Sequence, residues 1–204
     1  LNEQESASIP ANSVSINDSV KAKCLAQIEG NGDIDDIIIP ISWAGKEFIY
    51  GGMRATDEFC MLSPFGDASV TIYDGGSSVW SGTITSSGTC ITQDITSGNA
   101  ARIESDKPIL VFHGGNEDAF AMYPATKEKL YGIPSNYLYV AAGSSGATIT
   151  YIRSDTGATS TQTISANSQY SLSSLGSSGS APAFVVNGSN NIGTIQQADH
   201  DGTE

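Results

Sequence analysis

The chain has 204 residues, with 9 Lys and Arg against 22 Asp and Glu, for a formal net charge of −13. That balance excludes nucleic acid as the main partner, because phosphate binding needs a positive face, and it disfavours anionic membrane surfaces. Only 15% of residues are charged and 39% are apolar, while Gly, Ser and Thr make up about a third of the chain. Such a composition suits neither a charge-extended disordered chain nor a helical bundle.

Residues 1–30 read as an extended leader. Pro10 resists helix, and Ser13–Asn17 alternates as an edge strand does. Lys21–Glu29 has good helix formers, but it equally suits a strand with Ala22, Cys24, Ala26 and Ile28 on one face, which is the favoured reading, and Asn31-Gly32-Asp33 is a turn. Ile37–Ile41 is expected to be a buried strand, and Glu47–Gly51 another. Phe59–Leu62, Ser69–Tyr73, Val79–Ile84, Ile91–Ile95 and Ile109–Phe112 follow as short β-branched or aromatic runs. Gly66-Asp67, Asp74-Gly75-Gly76 and Ser87-Gly88 separate them. Turn chemistry about every ten residues is the mark of an antiparallel sandwich or barrel. Ala119–Lys129 reads as a linker, with one helical turn at Thr126–Leu130, and Ser144–Gly146 and Leu175–Ser180 read as hairpin tips.

The sequence also echoes itself. Phe48-Ile-Tyr-Gly51 returns as Leu130-Tyr-Gly-Ile133, and Ala68–Asp74 as Ala147–Ile152. Trp80–Ile84 returns as Thr161–Ile164, and Pro108–His113 as Asn191–Gln196. Four echoes in one order predict two tandem copies of one β-unit. The expected fold is therefore all-β, with antiparallel sandwich or jelly-roll-like units. Residues 1–47 form a leader and first strands, 48–129 the first unit, and 130–204 a second that stops just after its last strand.

No apolar run reaches the ~18 residues that a membrane-spanning helix needs. The chain starts at Leu1 without a basic-then-apolar leader and ends on a turn signal, as a piece of a longer chain would. Cys24, Cys60 and Cys90 lack zinc-ligand spacing. Three buried thiols are the expectation, with a Cys60–Cys90 bond the alternative if their strands are neighbours.

Ile103–Val111 (IESDKPILV), Leu130-Tyr-Gly132 and the strand running into Gly202 resemble elements of the N-terminal domain of IgGFc-binding-protein-like proteins. Gln196–Gly202 (QQADHDG) resembles segments of large structural proteins of marine bacteriophages. The resemblance covers roughly residues 48–204; Pro182–Phe184 and Asn190-Asn191 depart from it. It implies a non-enzymatic assembly module of a virion (fibre, tail or capsid surface) or of a bacterial cell surface. Its partners would be copies of itself and neighbouring structural proteins. A cell-surface adhesin, or a β-domain binding a host glycan or receptor, is the alternative.

Chemistry-bearing motifs are sparse. There is no Gly-x-Ser-x-Gly elbow and no phosphate-cradling loop. His113 reads as a strand-end residue and His200 as a loop residue. The candidates for a ligand are acidic turns: Asn116 with Asp118, Asp199 with Asp201, and the Asp33–Asp36 stretch. Each concentrates hard oxygens, which calcium favours, although the distal Glu of an EF-type loop is absent. Trp43, Trp80, Tyr137, Tyr139 and Tyr170 are expected to pack in cores rather than form a sugar platform. A depolymerase would need paired carboxylates facing one cleft.

Overall fold

The computed structural model describes residues 25–28, 34–37, 41–51, 58–114, 119–132, 137–172 and 183–197. They form an all-β, sandwich-like protein of antiparallel sheets. Among the described residues, no helix is long and apolar enough to cross a membrane.

β1 (Leu25–Ile28) and β2 (Ile34–Ile37) pair as a separate hairpin. A 3₁₀ turn, Ile41–Trp43, precedes β3 (Gly45–Tyr50). The run Ile37–Ile41 is thus not one buried strand. β2 ends at Ile37, and Ile41 stands 56% exposed just after Pro40.

The first assembly continues with β4 (Glu58–Leu62), β5 (Ala68–Asp74), β6 (Ser77–Ile84), β7 (Thr89–Thr92), β8 (Ala101–Gly114) and β9 (Ala119–Ala121). β8 belongs to two sheets. Its first half pairs β3 and β5, and β5 pairs β6. Its second half pairs β4 and β9, and β4 pairs β7. The passage from one sheet to the other falls at a register shift between Glu104 and Ile109. Pro108, which has no N–H to donate, lies there. Lys107 Nζ donates to the Asp67 carbonyl (2.6 Å) and Ser69 N to Asp106 Oδ1 (2.8 Å), tying the bend to the β4–β5 corner.

Both sheets feed one core. Phe48, Val70, Ile72, Ile84 and Ile103 meet Phe59, Met61, Ile109 and Val111. Val70 and Ile72 alternate with outward Ser69 and Thr71, the period-two pattern that buries one face of a strand. Each such side chain contributes about 2 kcal/mol when fully buried. The β5–β6 hairpin closes through Gly75 and Gly76 at φ 54° and 96°. A two-residue turn with positive φ at both positions matches the twist of its strands.

The second assembly comprises β10 (Leu130–Gly132), β11 (Tyr137–Ala142), β12 (Ala147–Arg153), β13 (Thr159–Ile164), β14 (Gln169–Ser171), β15 (Phe184–Gly188) and β16 (Ile192–Gln197). One sheet has the order β10-β15-β12-β13, the other β14-β11-β16. Its core joins Val140, Ile149, Tyr151, Ile164, Phe184, Val186 and Ile192.

Three expectations are corrected here. Ser144–Gly146 is a turn carrying the chain from β11 in one sheet to β12 in the other, so it is not a hairpin tip. Thr126–Leu130 is not helical: Thr126 bridges Ile192, and Leu130 opens β10. Cys60 and Cys90 lie directly opposite each other in β4 and β7 and form a disulfide. The strands are neighbours because β5–β6 leaves for the other sheet between them. Leu175–Ser180 and Cys24 lie outside the described residues.

Candidate functional site

The most constrained surface is the seam between the two assemblies. Strand β3 buries Phe48, Ile49 and Tyr50 in succession. Phe48 and Tyr50 enter the first core, while Ile49, on the opposite face, packs with Ala100 and Ala141 in a small cluster. Small residues on the second assembly allow close approach. A Cβ on Gly193 would run into the Ile49 carbonyl, and one on Gly143 would stand 3.1 Å from Ile49 Cδ1. Across the seam Ala100 N donates to the Asn167 carbonyl (3.0 Å), and Asn191 Nδ2 donates to Glu47 Oε2 (2.8 Å). From the connecting segment, Ala125 N donates to the Glu47 carbonyl (2.9 Å).

The loop that meets Asn167 is braced by Asp74. Its Oδ2 accepts from Thr96 N (3.2 Å) and Thr96 Oγ1 (2.6 Å), and its Oδ1 accepts from Asn99 Nδ2 (2.7 Å). Burial acts to raise the Asp74 pKa, but the hydrogen bonds from Thr96 and Asn99 together outweigh it and hold the carboxyl below its ordinary value. Arg102 is buried beside the seam, with its guanidinium 4.1 Å from the centre of the Tyr73 ring and ion-paired to Glu104.

Two open polar grooves flank Glu47. One, of about 340 Å³, runs between Lys127, Ser144, Ser145 and Asn190. The other, of about 470 Å³, lies over the outer face of β3, β5 and β8 and carries Lys46, Glu104 and Asp106. Glu47 and Glu104 are in register on adjacent strands, so the second groove does gather carboxylates. Each one is engaged structurally: Glu47 by Asn191, Glu104 by Arg102, and Asp106 by the Ser69 amide. Charged and polar side chains line both grooves, without the apolar floor on which small organic ligands bury their surface.

Of the acidic turns read from the sequence, Asn116, Asp118, Asp199 and Asp201 lie outside the described residues, as does His200. Asp35 and Asp36 belong to strand β2, in register with Gln27 and Ala26, rather than to a turn. Glu58, Cys60 and Cys90 bring ligand-type atoms within 4.8 Å of one another, but the two sulfurs are bonded to each other and offer no thiolate. His113 is buried in the first core, stacked on Tyr50 (4.3 Å) and edge-on to Phe59 (5.1 Å). Trp80 and Tyr139 pack against that core and Tyr170 against the second. Trp43 makes an edge contact with Tyr123 (5.3 Å). The side chain of Tyr137 is outside the described set.

Sequence reasoning missed the seam. Glu47 and Asn191 are 144 residues apart, and neither belongs to a motif. The one available signal was Phe48-Ile49-Tyr50, three large apolar residues in a row, which a strand with one wet face would not carry. Comparison with protein-family models, with curated proteins and with solved structures finds no match to this chain.

Proposed function

We propose that the chain is a non-enzymatic assembly module of an extracellular particle, built from two tandem copies of a seven-stranded, jelly-roll-like unit. The supporting observation is the correspondence of strand pairings. In the first assembly β3 pairs the first half of β8, which pairs β5, which pairs β6; β7 pairs β4, which pairs the second half of β8. In the second, β10 pairs β15, which pairs β12, which pairs β13; β14 pairs β11, which pairs β16.

The registers correspond too. Ile72 opposite Ile103 matches Tyr151 opposite Val186, and Leu62 opposite Leu110 matches Ala141 opposite Gly193. The continuous β8 corresponds to β15 and β16 with a break at Ser189–Asn191. Leaving aside β9, which follows β8 within the same sheet, sequential strands of each unit alternate between the two sheets except at the β5–β6 and β12–β13 hairpins. That wrapping is of the jelly-roll kind.

The disulfide favours an oxidising setting, as at a virion or cell surface. With the resemblance to phage structural proteins, the favoured particle is a bacteriophage virion. The test is fractionation. An antibody to the chain should follow intact particles through a density gradient and decorate their surface. Antigen confined to the free, low-density fraction overturns the reading.

A second reading, a glycan- or receptor-binding domain, draws on Tyr123, which is 53% exposed beside Trp43. It requires glycan-array binding that disappears in Trp43→Ala/Tyr123→Ala.

A further inference from the structure

The two four-stranded sheets carry corresponding rows of residues on their outer faces. In the first, Ile49, Arg102 and Tyr73 lie side by side, in register across β3, β8 and β5. In the second, Tyr131, Val185 and Ile152 hold the same places across β10, β15 and β12. The two rows have opposite fates. Ile49 is 1% exposed and Arg102 8%, with Ala141, Gly143 and Gly193 of the second assembly against them. Tyr131 is 77% exposed and Ile152 40%. Val185 between them is half-buried, so three apolar side chains form a continuous open stripe.

We propose that this stripe is the docking face for a second copy of the chain. The inference rests on the duplicated-unit reading, because that reading makes the stripe the counterpart of a face already covered. At the seam, the covering surface is the outer side of β11 and β16, where Ala141 stands opposite Gly193. The corresponding surface of the first unit is the outer side of β4 and β8. There Leu62 stands opposite Leu110, and Cys60, bonded to Cys90, stands opposite Phe112. That surface is apolar, with Leu62 and Phe112 half-buried and Leu110 8% exposed. One copy therefore offers the Tyr131 stripe and the next lays its Leu62 surface on it.

The contact is head to tail. Each copy gives one face and keeps the other free, so the contact propagates rather than closing on a two-fold axis. Leu62 and Leu110 are bulkier than Ala141 and Gly193, which sets the two copies further apart than the two units of one chain. The association is accordingly reversible. A charge of −13 on each copy opposes it, and salt strengthens it by screening.

The experiment is sedimentation velocity on the whole chain over a range of concentrations at low and high salt. The weight-average mass is expected to rise with both. Tyr131→Ser/Ile152→Ser replaces exposed side chains and should weaken association about tenfold or more while leaving the thermal midpoint unchanged. Leu62→Gln should weaken association likewise from the other face. A mixture of the two variants should form a one-to-one dimer and nothing larger, because each retains the face the other has lost. A chain that stays monomeric, or a stripe variant that associates like the wild type, overturns the proposal. So does a Leu62→Gln protein that still dimerises alone, since that requires the stripe to pair with itself. The underlying reading fails separately: it falls if experimental coordinates show units that do not superpose, whereas a monomer with superposable units leaves it standing.

Discussion

Ile49 and Gly193 meet so closely that the Ile49 carbonyl occupies the space a side chain at position 193 would need. The obstruction is backbone on one strand against backbone on another, and neither can swing aside as a flexible side chain could. Gly193→Ala is therefore expected to cost about 2 kcal/mol or more through forced separation of the two assemblies. Urea unfolding measures the loss. Amide exchange should quicken along both β3 and β16, and an unchanged midpoint would show that the units are not in this contact.

Cys60 and Cys90 are bonded to each other. Alkylation of the unfolded chain should label one thiol without reductant and three with it. Replacing both by Ser should cost about 3.6 kcal/mol, the entropy of a loop of this size in the unfolded chain. Three labelled thiols in the unreduced protein would contradict the pairing.

Asp74 makes stability depend on pH. Its folded-state pKa lies below the unfolded value of 3.8, so its contribution is complete above that value and is lost as pH falls through the lower, folded one. Asp74→Asn should accordingly be less stable than the wild type at neutral pH. The difference should close in acid, below the folded pKa. Denaturant midpoints of both proteins across that range provide the check.

Asn167 holds φ at 54° while its carbonyl accepts from Ala100 across the seam. Left-handed backbone is tolerated by Asn and Gly and resisted by β-branched residues. Asn167→Gly should change stability by only a few tenths of a kcal/mol, and Asn167→Val should cost about 1–2 kcal/mol. Equal effects in thermal melts would show that the backbone there is free to relax.

Much of the fold was legible because strands report locally. Val70 and Ile72 alternate with Ser69 and Thr71, and Gly75-Gly76 allows little but a hairpin. In the duplication proposed above, the echoed Phe48 and Leu130 stand opposite Ile103 and Val186. What stayed hidden depends on pairing at a distance. The fate of Cys60 turned on whether β4 and β7 were neighbours, which the sequence leaves open because a hairpin of the other sheet intervenes. Ile41 belongs to an apolar run that suggests burial, yet it follows Pro40 into a 3₁₀ turn and faces solvent. Ile49 would face solvent if β3 alternated simply; the second assembly covers it instead.

The disulfide also sets how the chain bears mechanical load. Tension applied at the two ends passes through the sulfur bridge and bypasses the backbone between Cys60 and Cys90, a separation of 30 residues. About 100 Å of extensible length is thereby withheld from a stretched molecule until the bridge is reduced. The β5–β6 hairpin sits wholly inside that protected stretch, and reduction would convert a stiff tether into a compliant one.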